Sequence, residues 1–301
     1  MLTIQSTGQY TVSVSSDWIV HKGSSEKNKE LFFIKANYSE ARIDTIVIMC
    51  GDASAQFVVK QESGLIADLG VERTAKALAS KIYAGVNIGN VVEEDFLEGA
   101  TAEDGNTIWE KYILGLRDAG FNAVRIQCAW SSHIEDMSTY KIESKWLLKV
   151  QEIVDMIVDN GMYAILNIYE GDEDEDNCTA DKIEENNQKL KTIWTQIADM
   201  YKSYDEKLLL ACCHEPKVST QDEMAVLASY EQTFVDAVRA TRERNAKRVL
   251  VVPGPMTDIQ TTDMLMNLPT DEIKDRLMVE VQFFSPYSFC AMTQDEDDAK
   301  V

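Results

Sequence analysis

Lys207-Leu208-Leu209-Leu210-Ala211-Cys212-Cys213-His214-Glu215-Pro216 is an apolar run that stops abruptly at a carboxylate followed by proline. The run shows no polar alternation, so neither of its faces meets water, which is the pattern of a parallel strand covered on both sides. Long stretches of helical periodicity flank it, at about 180–203 and about 222–243, and place it in a β/α alternation rather than a hairpin sheet. In an α/β barrel the chemistry sits at the C-terminal ends of such strands. Glu215 occupies that end and is the leading candidate for a catalytic acid. Its structural alternative is a carboxylate that caps the following loop.

Outward from this stretch the alternation recurs in both directions. Strand-like runs at Tyr83 to Ile88, Phe121 to Ile126, Met162 to Ile168, Leu208 to Cys213, Arg248 to Val252 and Leu277 to Phe283 alternate with helical segments near 105–119, 144–160, 180–203, 222–243 and 259–267. That makes six β/α steps, whereas a closed (β/α)8 barrel has eight. The chain ends in Asp295-Glu296-Asp297-Asp298-Ala299-Lys300-Val301 with no further strand or helix pattern. The expected fold class is α/β, a TIM (β/α)8-type barrel truncated after its sixth strand.

Residues 1–63 have a different texture. Tyr10-Thr11-Val12-Ser13-Val14, Leu31 to Ala36, Thr45 to Ile48 and Gln56 to Lys60 alternate with period two between Gly, Ser and Asn turns, as in a small β-sandwich. The expected organisation is this module at 1–63, a linker at 64–75 and the barrel at 76–301.

Composition narrows the partners. The 301 residues carry a formal charge of −22 with 45% hydrophobic content. No basic stripe is present to release counterions, which argues against nucleic acid and favours a neutral partner. No run of 18 or more apolar residues marks a transmembrane helix, and the start of the chain lacks the basic and apolar regions of a signal peptide. The cysteines at 50, 128, 178, 212, 213 and 290 form no CxxC pair and no metal-ligand spacing, so they read as mostly free, buried thiols. The acidic run Gly171-Asp172-Glu173-Asp174-Glu175-Asp176-Asn177 lacks the glycine and glutamate of a calcium loop, since those places hold Asn177 and Ile183. It reads as a solvated connection, and no metal or cofactor is expected.

Several segments together resemble glycoside hydrolase family 5, the cellulase-type retaining β-glycanases. They are Gly85-Val86-Asn87-Ile88-Gly89-Asn90, Leu116 to Ile126, Trp146 through Asp159-Asn160-Gly161-Met162-Tyr163, His214-Glu215-Pro216, Val251-Val252-Pro253-Gly254-Pro255 and Phe284-Ser285-Pro286-Tyr287. Their order and spacing match over about 76–289, and no single motif carries the resemblance. The front region is similar to the immunoglobulin-like BACON module, through Val14-Ser15-Ser16-Asp17-Trp18-Ile19, Ala36-Asn37-Tyr38-Ser39 and Gln61. Within it Trp18 reads as core rather than as a sugar platform.

The resemblance implies retaining hydrolysis of a β-linked glucan of the cellulose, mixed-linkage or xyloglucan class, without cofactor and outside the cytoplasm. It implies two carboxylates about 5 to 5.5 Å apart, one an acid/base and the other a nucleophile. Glu215 takes the acid/base role, and Arg125 the arginine that supports the nucleophile by charge and hydrogen bonding. Any barrel carboxylate could instead pair with Arg125. The resemblance places the nucleophile on a seventh strand, beyond Val301, so that this chain by itself is expected to be inactive.

Other positions depart from the family pattern. His214 stands where the family has an asparagine, Tyr169-Glu170 where it has a histidine pair, and Gln282 with Phe283 and Phe284 where it has a His-Tyr pattern. His214, Tyr169, Glu170, Gln282 and Phe284 are the expected cleft lining. Trp130 and His133 join them as a sugar floor or as ordinary loop packing, two uses that tryptophan serves equally. A replacement pair of Glu170 with Glu215 remains open. So does a competing function, a glycan-binding or structural homologue that keeps the cleft without catalysis.

Overall fold

A computed structural model describes residues 2–6, 8–26, 28–34, 41–61, 70–92, 108–169, 178–284, 286 and 290. The chain divides into two units, Met1–Leu69 and Gly70–Val301. In the first unit β1 (Leu2–Thr3), β2 (Thr11–Ser13), β3 (Ile19–Glu26), β4 (Lys29–Ile34), β5 (Arg42–Cys50) and β6 (Ala53–Gln61) form two three-stranded antiparallel sheets, β1-β4-β3 and β2-β5-β6. Trp18, Ile19 and Ile46 are their shared core, packed by Val12, Val14, Phe32, Ile34 and Val59. Trp18 is buried and takes the Arg42 guanidinium on its ring at 4.4 Å. Asn37, Tyr38 and Ser39, which carry part of the front module's resemblance, lie outside the described residues.

The second unit runs α1 (Ala75–Ala79), β7 (Gly85–Val92), α2 (Ile108–Asp118), β8 (Ala123–Cys128), a small hairpin of β9 (Ile134–Asp136) and β10 (Lys141–Ile142), then α3 (Ser144–Asp159) and β11 (Tyr163–Ile168). It continues with α4 (Ile183–Tyr201), β12 (Leu208–Ala211), α5 (Gln221–Ala240), β13 (Leu250–Asp258), α6 (Ile259–Leu265) and β14 (Leu277–Gln282). Six strands form one parallel sheet in the order β14-β13-β12-β11-β8-β7. Apart from the small hairpin, each neighbour in the sheet is the neighbour in the chain. A doubly wound sheet reverses its strand order at a switch point, and a barrel sheet does not.

The two faces of this sheet bury different cores, which explains the unbroken apolar runs. Leu208 and Leu210 of β12 face the helical layer with Trp194 and Ile197 of α4 and Tyr230 and Phe234 of α5. Leu209 and Ala211 face the other way, onto Ile165, Val249 and Val251 and onto Ala75 and Leu78 of α1. The helices present matching stripes: Trp146, Val150, Ile153, Val154 and Ile157 are the buried apolar positions of α3 at helical spacing.

Local signals fix where the helices start and stop. Thr220 and Glu223 form a reciprocal capping box at the start of α5. Gly120 and Gly161 sit at φ 95° and 82° just past α2 and α3. There Phe121 N donates to Leu116 O, and Met162 N to Ile157 O, the bond pattern of a glycine-terminated helix.

Part of the expected linker, 64–75, is described from Gly70 onward. Residues from Gly70 onward already belong to the second unit. Buried Arg276 donates to the main-chain oxygens of Val71, Arg73 and Glu72, and Glu206 N donates to Gly70 O at 2.7 Å. The guanidinium needs those acceptors once it is out of water, so the segment is bound to the barrel rather than free.

Candidate active site

The site is built on the C-terminal halves of the parallel strands. Register places Gln127, Asn167, Ala211, Val251 and Met278 in one row across β8, β11, β12, β13 and β14. One side-chain layer further along β14, Glu280 is paired with Pro253 of β13. Arg125 lies one layer below Gln127 on β8, on the same face, because side chains two apart share a face of a strand. His214 and Glu215 follow β12, and Tyr169 follows β11.

Arg125 is buried and makes a two-point ion pair with Glu280, Nε to Oε2 at 3.2 Å and Nη2 to Oε1 at 2.8 Å. The Asn167 amide, assigned with its oxygen toward the guanidinium, accepts from Nη2 at 2.9 Å and donates to Ile126 O at 2.9 Å. Arg125 Nη2 also lies 3.2 Å from His214 Nδ1. A guanidinium has no lone pair to give, so Nδ1 is the acceptor in that contact. The other ring nitrogen, Nε2, lies 3.4 Å from Glu215 Oε1 and 3.3 Å from Gln127 Nε2, which is itself a donor. Tyr169 packs edge-on against the same ring at 5.1 Å. Gln282 Nε2 donates to Glu215 Oε1.

Burial holds the His214 pKa below the ordinary imidazole value, and the Arg125 charge pushes it the same way, opposed by Glu215. A neutral ring is therefore favoured, consistent with Nδ1 accepting from arginine. Glu215 itself sits at φ 40°, in the left-handed region that is rare for a residue with a side chain. Residues before proline are restricted too, so this backbone is held by its surroundings, a feature that clusters at functional sites. Part of that hold is Met256 N, which donates to Pro216 O at 2.9 Å.

The structure joins Arg125, His214, Glu215, Gln282 and Tyr169 in one connected cluster. Phe284 is exposed beyond the end of β14. Glu170 and the acidic run that follows it lie outside the described residues.

The sugar-floor reading of Trp130 and His133 needs correction. Trp130 does not floor a sugar site: its side chain is 0% exposed and Nε1 donates to Asn167 O at 3.1 Å. His133 is likewise taken, stacked on Trp146 with ring centroids 3.5 Å apart. Of the two readings of Arg125, the pairing with a barrel carboxylate is present, in Glu280. Sequence reasoning missed Glu280, Gln127 and Asn167. The signal was present for Glu280, which shares Gln282's strand face at a spacing of two and puts an acid inside a mostly apolar strand.

A curled parallel sheet whose strand ends gather a strained glutamate, an arginine, an imidazole and amides is the framework of an α/β-barrel glycoside hydrolase. The chain belongs to glycoside hydrolase family 5: the family model described as Cellulase (glycosyl hydrolase family 5) matches residues 90–301. The xyloglucan-specific endo-beta-1,4-glucanase of Bacteroides ovatus is 34% identical over 239 residues, which is 74% of this chain and 47% of that protein. Endoglucanase B of Ruminococcus albus is 32% identical over 241 residues, 74% of this chain and 57% of its own length. This chain thus spans about half the length of these curated relatives. Among solved structures, a Bacteroides ovatus xyloglucanase in complex with a XXXG heptasaccharide aligns at TM-score 0.66 and 28% identity, covering 95% of this chain and 68% of that one. A broad-specificity endoglucanase from Ruminococcus champanellensis with bound cellotriose aligns at 0.64 and 34% identity, covering 72% and 68%.

Proposed function

We propose that this chain carries the acid/base side of a retaining β-glucanase site for cellulose-, mixed-linkage- or xyloglucan-type chains. The observation that carries the reading is Glu215: a half-exposed carboxylate on strained backbone at the end of a buried barrel strand, with Gln282 and His214 on one oxygen. In this role its acid form protonates the glycosidic oxygen as the bond to the anomeric carbon breaks. The resulting carboxylate then takes a proton from the water that releases the sugar. Support comes from the relatives, whose names specify endoglucanase or xyloglucan-specific activity. It comes as well from the solved structures, which hold a XXXG heptasaccharide and cellotriose.

The reading includes a BACON-type module at the front that spaces the barrel from a surface or touches glycan, and a working place outside the cytoplasm. It also holds that this chain alone hydrolyses little. Among the described residues the second carboxylate of the cluster is Glu280, and Arg125 engages both of its oxygens. A second reading, glycan binding without catalysis, draws on the same engaged arginine and on His214 and Gln282 standing at positions where the family uses other donors.

The test measures reducing-sugar release from barley β-glucan, xyloglucan and carboxymethyl cellulose, with Glu215→Gln as control, beside retardation in glycan affinity gels. Release that disappears in the control establishes hydrolysis. Retardation without release supports the binding reading, and the absence of both removes glucan as the ligand.

A further inference from the structure

The two sheets of the first unit end in β1 and β3 and in β2 and β6, and three of these four edge strands are closed to further pairing in the ways that natural sheets use. β1 and β2 are two and three residues long, and β3 shifts register twice against β4. β6 is the exception. It runs for nine residues in unbroken register with β5, from Arg42 opposite Gln61 to Cys50 opposite Ala53, and among the described strands β5 is its one neighbour. It has no proline, no bulge and a single charged side chain, Lys60. We propose that β6 is an interface strand, which pairs antiparallel with β6 of a second copy about a two-fold axis at Phe57 and joins two β2-β5-β6 sheets into one.

Backbone chemistry supplies the first reason. An edge strand turns half of its N–H and C=O groups away from its neighbour, and another strand is the partner that meets all of them at once. A strand that pairs with its own symmetry mate uses the same patch on both copies, so the contact closes as a dimer and does not propagate.

The side chains supply the second reason. Phe57 stands opposite Ile46 and Val59 packs on the same core, so Ala55, Phe57 and Val59 share the inner face of the sheet. Ser54, Gln56, Val58 and Lys60 share the outer one. Phe57 is the midpoint of β6, so an axis there pairs every residue of the strand, with Ala53 opposite Gln61 at each end. It sets Phe57 against its own copy, Val59 against Ala55, Val58 against Gln56 and Lys60 against Ser54. No like charges are opposed, and the central pair is aromatic on aromatic, a favourable cross-strand match. Phe57 and Val58 are 48% and 49% exposed at this edge, apolar surface that the pairing would cover.

Charge supplies the third reason. Each copy carries a formal charge of −22, so two copies repel at most approaches, yet β6 brings no carboxylate to the seam.

Light scattering of the full chain over a concentration series reaching about 1 mM, the weak end of the association scale, reads the state directly. A dimer is expected, and it should tighten with added salt as repulsion between the two copies is screened. Phe57→Lys opposes two lysines on the axis and should remove the dimer from that range. Val58→Lys faces the partner's Gln56 and should weaken it less. Phe57→Cys brings two thiols together with Cα atoms about 4.5 to 5.5 Å apart, within the reach of a disulfide, and should cross-link on mild oxidation. Val58→Cys should lag behind it, and the unaltered chain, with Cys50 and the exposed Cys290, is the blank. Circular dichroism verifies that each variant is folded. A monomer throughout the series overturns the proposal. So does a dimer that survives Phe57→Lys, cross-linking at 58 that equals that at 57, or growth beyond the dimer. None of these readouts uses a glycan, so the outcome is independent of the glucanase reading.

Discussion

Arg125 on β8 and Glu280 on β14 close a two-point ion pair although three strands, β11, β12 and β13, lie between them in the sheet. Four strand spacings in a flat sheet amount to about 19 Å, beyond the combined reach of the two side chains. The contact exists because the sheet curls, so one ion pair reports both the barrel curvature and the assembly of the cleft.

Breaking that pair from one side should be costly. Arg125→Met leaves Glu280 and Asn167 facing a mostly buried gap without their donor, and should lose about 2 to 4 kcal/mol in urea unfolding. Arg125→Lys should recover only part of this, since an ammonium cannot reproduce the fork of Nε and Nη2. Full recovery by lysine would show that charge alone holds the mouth together.

The elements with strong periodicity were legible in the sequence. The spans expected at 144–160 and Met162 to Ile168 match α3 and β11 to within a residue, because a 3.6-residue stripe and an unbroken apolar run are both visible locally. β3 was not legible. Its His21-Lys22-Gly23-Ser24 stretch has no alternation in the sequence, and its pairing with β4 shifts register twice. The site divides in the same way. Glu215 announced itself through a strand end and a proline, whereas the pairing of Arg125 with Glu280 spans 155 positions and depends on curvature that no local pattern encodes.

Glu231 sits in the core-facing stripe of α5 with its side chain 0% exposed, and among the described residues neither oxygen has a hydrogen-bond partner. Burial pushes its pKa up to about 9. In the unfolded chain the group ionises near its ordinary value, while in the folded chain it stays neutral. Its contribution is therefore nil below about pH 4 and turns destabilising as pH rises from there toward 9. Glu231→Met, similar in volume, should raise stability at pH 7 by up to about 3 kcal/mol. The gain should shrink toward pH 4.5 in paired urea titrations. A gain independent of pH would place its origin in packing rather than ionisation.

Gly254 on β13 shows why that strand tolerates only a hydrogen at one position. A Cβ there would overlap Thr262 Oγ1 and stand 2.9 Å from its Cγ2, at the start of the packing between β13 and α6. Gly254→Ala should cost about 1 to 3 kcal/mol through overpacking. Adding Thr262→Ala removes both clashing atoms and should return most of the loss. Thermal denaturation of the single and double variants measures it, and equal stability of the two would mean that the helix simply moves aside.

Trp130 offers the sharpest separation of packing from binding. Its ring is enclosed by the barrel and its indole proton is spent on Asn167 O, so its partners are all internal. Trp130→Phe loses that bond and opens a cavity, and should lower stability by roughly 2 kcal/mol. Glycan retention of the folded fraction should not change, because no face of the ring reaches solvent. Tyr169→Ala is the counterpart: a partly exposed ring set against His214 at the mouth, whose loss should weaken retention with a smaller effect on stability. Retention in affinity gels, normalised to the folded fraction from circular dichroism, compares the two. Weakened retention in Trp130→Phe at undiminished stability would return that tryptophan to the cleft and overturn its assignment to the core.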